Sequence, residues 1–384
     1  MDLPNKADVV IIGGGVIGTA IAYYLTQKGC KDVVVLERNQ MLGLESTGKN
    51  AGGVRAQFGT KVNIQFALES IKIFEKFEEI TGQDPYFSQC GYLFMTENEK
   101  LWQSFQENVK LQNSLGVDSV TLTPEQIKEK VPLVDVEGLL GGTFWQRDGI
   151  LDPSAILVGY EKKSIQAGVK FVNNTEVTGF EMSDGKIDSI VTDKGKIKPQ
   201  TVVLASGAWS KRIGKMLDFD FPAIPMKRQI VTTKPIGIPE GFPMVVNMDS
   251  GSYLHRESGG ILMGWADPNT KEGLGIEPDF DYTMEVVERS MARLPIIEEA
   301  EILSDWAGLY SVTPDHHAIL GKIEKMPQVI CAFGFSGHGV MHAPAVGICL
   351  AEEIVDGKPT FLEMDSLRFE RFAKGELVEE KNVI

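Results

Sequence analysis

Residues 9 to 37 constrain the fold more than any other stretch of the chain. Val9 to Ile12 is an unbroken β-branched, apolar run, the pattern of a strand buried on both faces. Gly13, Gly15 and Gly18 follow in G-x-G-x-x-G spacing. The first glycine allows a tight turn, the second lets a pyrophosphate approach the backbone, and the third lets helix and strand pack closely. Thr19 to Leu25 continues as helix, which offers its N-terminal N–H groups to phosphate. A second strand over Val33 to Leu36 ends in Glu37, about twenty residues past the glycines, where an acid binds ribose hydroxyls. A glycine triplet alone predicts only a tight turn. Strand, triplet, helix, strand and acid in one register predict an α/β, Rossmann-like unit holding an adenine dinucleotide.

The remaining composition narrows the setting. A chain of 384 residues can bury a large core and suggests two domains. Hydrophobic and charged shares of 43% and 24% are those of an ordinary globular protein. The formal charge of −15 argues against a nucleic-acid or anionic-membrane surface. No eighteen-residue apolar run is present, and "MDLPNKADVV" lacks the basic and apolar regions of a signal peptide. Cys30, Cys90, Cys331 and Cys349 are scattered without C-x-x-C spacing, so they read as reduced, buried thiols of a cytoplasmic protein.

Further along, Thr60 reads as the cap of a helix reaching to about Ile80, with Ile64, Leu68, Ile71, Phe74 and Phe77 on one face. Another helix is expected over about 97–114. Thr123-Pro124 and Asp152-Pro153 each carry a cap followed by proline at the first helical position. Strands and turns follow to about residue 205, including a turn at Ser183-Asp184-Gly185, and 222–312 is strand-rich with a helix near 282–294. At the end, a strand over Val329 to Ala332 runs into Gly334, Gly337 and Gly339 and then a helix. This second glycine-rich junction offers another helix N-terminus to a ligand. No linker divides the chain, so its domains are expected to interleave.

Four segments, "DVVIIGGGVIG…VVVLER", "TVVLASGAWS", "WAGLYSVTPDHHAILG" and "GFSGHGVMHAPAVG", resemble the D-amino-acid oxidase superfamily of FAD-dependent amine and amino-acid oxidoreductases. Within it, "GYLFMTENE", "LTPEQIKEKVPLVD" and "RDGILDP" look like the β subunits of heteromeric sarcosine oxidases and archaeal dye-linked proline dehydrogenases. The resemblance implies a discontinuous FAD-binding domain over 1–85, 145–220 and 325–384. It also implies an inserted α+β substrate domain with a mixed sheet over 86–144 and 221–324. Gly13, Gly15, Val16, Ile17 and Gly18 would hold the pyrophosphate, Glu37 and Arg38 the adenosine, and Val177 would lend adenine a backbone contact. Ser46, Thr47, Asn50, Gly207 and Trp209 would also contact the cofactor, and Gly337, His338, Gly339 and Met341 the flavin's pyrimidine edge. Relatives attach FAD through a cysteine or a histidine; Gly308 and Asn50 stand at or near those positions, which implies non-covalent FAD.

Departures from the pattern bear on substrate. Met341 stands where monomeric sarcosine oxidases bind the substrate carboxylate with lysine, and Tyr310 where glycine oxidases place arginine. Leu262 appears at the place of the lysine that helps those sarcosine oxidases activate oxygen, which favours a dehydrogenase. Arg55 is then the first candidate carboxylate anchor, with Lys227 and Arg228 second. Tyr253 and His255 are expected to reach the pocket, although a structural histidine is the simpler reading of His255. His316-His317 and His338-x-x-x-His342 lack a completing acid or cysteine, so no metal is expected. The implied activity is oxidation of the C–N bond of a secondary amine or imino acid such as proline or sarcosine, by hydride transfer to flavin N5, giving an imine. A D-amino-acid dehydrogenase, another flavin amine oxidase, and a non-catalytic FAD-binding subunit are the alternatives. A partner subunit or electron acceptor is implied by the β-subunit resemblance.

Overall fold

The computed structural model describes residues 2–383. Its first strand, β1 (Lys6–Ile12), turns through Gly13 into helix α1 (Val16–Gln27), which leads to β2 (Val33–Leu36). β1 and β2 pair in parallel, with Val9 opposite Val33 and Ile12 opposite Leu36. On its other side β1 pairs in parallel with Gly195–Leu204, which pairs in parallel with Met326–Phe333. Lys170–Val172 and Ile319–Ile323 complete the main row, and a hairpin, Val177–Ser183 with Lys186–Thr192, extends from the Gly195 strand. Alternate residues of the central strands enter different cores. Val9, Ile11, Val33 and Val35 pack beneath helices, while Val10, Ile12, Val34 and Leu36 pack on the opposite face. Burial on both faces is what the unbroken apolar runs required.

The helices over the first face are α1, Lys61–Phe74 (α2), Pro153–Gln166 and Gly339–Val355. The last crosses α1 closely at Gly347, where a Cβ would stand 3.1 Å from the Ala20 backbone. Thr123 forms a capping box with Gln126, and Asp152 accepts the Ser154 N–H, so both expected helix starts occur. The helix expected from Thr60 to about Ile80 is instead two, α2 and Phe77–Thr81. The break sets Phe77 edge-on to Tyr160, with ring centroids 5.1 Å apart. Thr60 does occupy the cap position, but its hydroxyl does not cap; it donates to Glu380, 2.7 Å away.

A second eight-stranded sheet runs in the order Ile302–Val312, Ile224–Thr233, Gly260–Trp265, Ser252–Glu257, Met244–Asn247, Tyr92–Thr96, Gly141–Trp145, Val120–Leu122. It is mixed, since Met244–Asn247 and Tyr92–Thr96 are parallel while their neighbours are antiparallel. One face packs on the helix Phe280–Met291, and the other carries Tyr92, Phe94, Ile230 and Tyr253. Pieces of the chain alternate between the two sheets, so both close only when distant segments meet. The boundary expected at residue 325 falls in the turn of the Ile319–Phe333 hairpin, and that hairpin belongs wholly to the first sheet. The four cysteines are free thiols. Among the described residues no helix is long and apolar enough to cross a membrane.

Candidate active site

A cleft with about 1530 Å³ of empty space, its open mouth included, runs from the start of α1 to the start of Gly339–Val355. A lining that runs from one helix start to another suits an extended dinucleotide. Gly13, Gly15, Val16 and Ile17 line one end. Gly13 has φ +116°, and a Cβ on it would stand 2.4 Å from the Ala205 carbonyl oxygen. Gly18 does not line the cleft: a Cβ there would lie 2.0 Å from the Gly13 oxygen, so this glycine serves the contact between α1 and β1.

Glu37 is buried at the end of β2, where Oε2 accepts the Gly14 N–H at 2.9 Å and Oε1 the Asn39 N–H at 2.8 Å. Each carboxylate oxygen accepts more than one bond, so ribose hydroxyls can still be received. Arg38 stacks over Trp209 at 3.7 Å, and Val177 and Gly207 line the same end. Thr47 Oγ1 accepts the Val16 N–H at 3.1 Å, and Ser46 Oγ donates to the Leu309 carbonyl at 2.7 Å. The loop carrying Ser46, Thr47 and Asn50 is thereby tied to both ends of the cleft.

Gly308, Tyr310, Gly337 and Gly339 line the far end, joined by Arg228, Ile230 and Tyr253 from the second sheet. No cysteine or histidine lines the cleft among the described residues. An acid at the ribose position, a glycine turn at one helix start and a second helix start at the other end fit FAD. The glycine, acid and loop residues just described would hold it.

A smaller cavity adjoins this far end and shares Asn50, Ala51, Tyr253, Tyr310, Ser336 and Gly337 with it. It adds Arg55, Tyr92, Met244, His338 and Met341. His338 and Met341, expected at the flavin, therefore face this smaller space rather than the main cleft. Arg55 is 2% exposed and packs 3.9 Å over the Phe58 ring. Its Nη1 donates to the Gln57 carbonyl at 2.7 Å and its Nη2 to the Asn382 carbonyl at 2.5 Å. Both acceptors are neutral, and no carboxylate forms an ion pair with it among the described residues. Burial lowers its pKa from the ordinary guanidinium value.

Burial also raises the phenol pKa values of Tyr92, Tyr253 and Tyr310, with Arg228 and Arg55 opposing the rise at Tyr310, so all three keep their protons at neutral pH. His338 is pushed well below its usual value, first by burial and then by Arg55, and stays neutral. Asp148 accepts from the Ala56 N–H and Gln57 Nε2, groups of the two residues after Arg55; burial raises its pKa to about 7.

Some expected residues lie elsewhere. His255 lines neither cavity: its ring nitrogens face the Ala51 and Arg256 carbonyls at 3.0 and 2.8 Å, and burial lowers its pKa. One of these carbonyls takes the single N–H of the neutral ring, which makes His255 a buried structural histidine. Lys227 donates to the Glu277 carbonyl at 3.2 Å on a separate open cleft, so of the second pair only Arg228 reaches the site. Leu262 is a core residue of the second sheet and lines neither cavity, so its apolar side chain carries no argument about oxygen. Among the described residues no three His, Cys, Asp or Glu side chains gather in a metal-like group. The sequence reading missed Tyr92 and Asp148, whose roles arise only when strand Tyr92–Thr96 meets the segment around Arg55.

With this geometry in hand, comparisons place the chain among known proteins. A family model described as FAD dependent oxidoreductase, DAO, matches residues 8–353. The chain is 32% identical to FAD-dependent oxidoreductase domain-containing protein 1 of Xenopus laevis, over 99% of this chain and 85% of that one. It is 28% identical to mitochondrial dimethylglycine dehydrogenase of Rattus norvegicus over 98% of its own length, yet spans only 46% of that relative. Among solved structures, an L-proline dehydrogenase from P. horikoshii superposes with a TM-score of 0.91 at 34% identity, covering 98% of this chain and 100% of that one.

Proposed function

Because the chain belongs to the FAD-dependent oxidoreductase (DAO) family, we propose that it oxidises the C–N bond of a secondary amino or imino acid of the proline or sarcosine kind. FAD is its cofactor, and bound FAD supplies a hydride acceptor for a C–H bond beside nitrogen. The observation that carries the substrate reading is Arg55, a buried guanidinium held only by neutral carbonyls beside the flavin end of the cleft. A charge buried without an ion pair is costly, and an incoming carboxylate would offset that cost. Two of its five N–H donors are used, which leaves a fork for the substrate.

Tyr92, Tyr253 and Tyr310 wall the remaining space with protonated phenols, which hold the amine by hydrogen bonds rather than by a full negative charge. Such a wall suits the neutral amine, whose ammonium proton passes to solvent on binding, and the imine product meets water after release. Anchoring the carboxylate fixes the Cα–H with respect to the flavin, and such orientation is the protein's main contribution to rate. In this reading the first sheet and its helices hold FAD while the second sheet closes over the substrate, and electrons pass to a partner or dye-like acceptor. The dehydrogenase assignment is supported by the proline and dimethylglycine dehydrogenases among the similar proteins.

The test is an anaerobic screen of flavin absorbance against proline, sarcosine, dimethylglycine and primary amino acids of both hands. Bleaching by secondary or tertiary amino acids, followed by faster reoxidation with an artificial acceptor than with air, is the expected result. A flavin that no amine reduces would mark a non-catalytic FAD-binding subunit.

A further inference from the structure

We propose that the C-terminal segment 376–383 is a positioning strap, in which Glu380 anchors the segment and the Asn382 carbonyl aims the Arg55 guanidinium into the small cavity. The proposal rests on the reading of Arg55 as the carboxylate anchor. Residues 376–383 form no helix or strand, so the backbone of this segment owes its place to other contacts. Glu380 provides them: it has no solvent exposure, and its carboxylate accepts five hydrogen bonds. Oε1 takes the Gly59 N–H at 2.8 Å and the Asn382 N–H at 3.0 Å. Oε2 takes the Thr60 N–H at 3.0 Å, the Thr60 hydroxyl at 2.7 Å and Asn63 Nδ2 at 3.2 Å. A remote carboxylate thus ties down the backbone that enters α2 and the Thr60 hydroxyl at its start, and it holds the residue two positions on in the same stroke.

That residue is Asn382. Its carbonyl accepts from Arg55 Nη2, while its side-chain amide donates to the Gln57 carbonyl, the same oxygen that accepts from Arg55 Nη1. The guanidinium is therefore gripped along one edge by two carbonyls, one of which belongs to the strap. Arginine side chains carry considerable rotamer freedom, so fixing one edge selects which donors point at the cavity. Glu380 and Asn382 touch neither cavity, so their effect on substrate must pass through Arg55.

The test compares Glu380→Gln, Thr60→Val and Arg55→Ala, singly and with Glu380→Gln combined with Arg55→Ala, in the FAD-bound protein. Thr60→Val removes one bond to Glu380 and guards against a Glu380 variant that fails to fold. Binding of pyrrole-2-carboxylate and of pyrrole is followed by flavin absorbance, and KM and kcat are measured for L-proline and pyrrolidine. Hydrogen exchange at Gly59 and Thr60 reports release of the strap. Glu380→Gln should weaken the carboxylate ligand on the order of tenfold, raise KM more than it lowers kcat, leave the uncharged ligand unchanged, and add nothing in the Arg55→Ala background. If Arg55→Ala is carboxylate-selective but Glu380→Gln and Thr60→Val affect both ligands alike, or neither, or add fully to Arg55→Ala, the strap is overturned while the anchor stands. If Arg55→Ala itself weakens both ligands alike, the anchor reading fails and the strap falls with it.

Discussion

Arg55 meets solvent over only 2% of its surface, and what touches it is neutral: two carbonyl oxygens, the Phe58 face and the cavity, with the Glu380 and Asp148 carboxyls near but not paired to it. Replacing it with alanine should reduce kcat/KM for an amino acid about ten- to a hundredfold, since charge-assisted bonds contribute roughly 1.5–3 kcal/mol. The same change should spare the matched amine that lacks a carboxylate. Arg55→Lys should rescue little, because an ammonium cannot meet two fixed carbonyls and a carboxylate in one plane. Equal losses on both substrates would reassign Arg55 to holding the fold. A second residue-scale expectation concerns attachment. Gly308 stands at the far end of the cleft and no thiol or imidazole lines it among the described residues, so denaturation should release all the flavin into the supernatant. Flavin remaining with the precipitated chain would contradict this. Arg55 could be picked from the sequence as an arginine in the right segment, but its clamp could not, because Asn382 lies 327 positions away.

At the scale of elements, the junction of β1 and α1 is the most tightly determined part of the fold. Gly18→Ala would drive a Cβ to within 2.0 Å of the Gly13 oxygen, so the helix must shift away from the strand. Overpacking of this kind typically costs about 1–3 kcal/mol, and here it also displaces the N–H groups that receive the pyrophosphate. The variant should show a lower Tm and copurify with less FAD; a normal flavin content would show that α1 can move without harming the site. This junction was legible because every rule it obeys acts within a few residues: β-branched run, glycine spacing, terminal acid. The starts at Thr123 and Asp152 were legible for the same reason. The break after Phe74 was not, because the packing of Phe77 on Tyr160 joins segments more than eighty positions apart. Thr60 misled in an instructive way: the position is a helix cap, but its hydroxyl is spent as a donor to Glu380 rather than as a cap.

For the whole molecule, interleaving could be anticipated from the lack of a dividing linker, but the meeting place of the two sheets could not. The smaller cavity draws Arg55, Tyr92, Tyr253, Tyr310 and His338 from five separated segments, and no local pattern relates those segments. The same convergence buries several histidines, and this gives the fold a pH dependence that can be measured. His342 is packed by Phe58 and Phe66, its Nε2 has no hydrogen-bond partner, and burial lowers its pKa to about 3. His338 and His255 are shifted in the same direction by burial. Below an unfolded pKa near 6.5 the unfolded chain binds protons that the folded chain refuses, so stability falls as pH drops from about 6.5 towards 3. Asp148 acts oppositely: raised to about 7 from the usual value near 4, it keeps a proton in the fold that the unfolded chain gives up, so its contribution weakens as pH rises through that window. Each of these histidines, held below its ordinary value, lowers stability as pH falls, the opposite sign to Asp148. His342→Phe removes one of the three, and phenylalanine suits the aromatic neighbours and leaves no orphaned nitrogen. Its Tm should therefore fall less steeply than the wild type's as pH is lowered from 7 to 4.5. Parallel Tm curves over that range would show that His342 takes up its proton as readily in the folded chain as in the unfolded one.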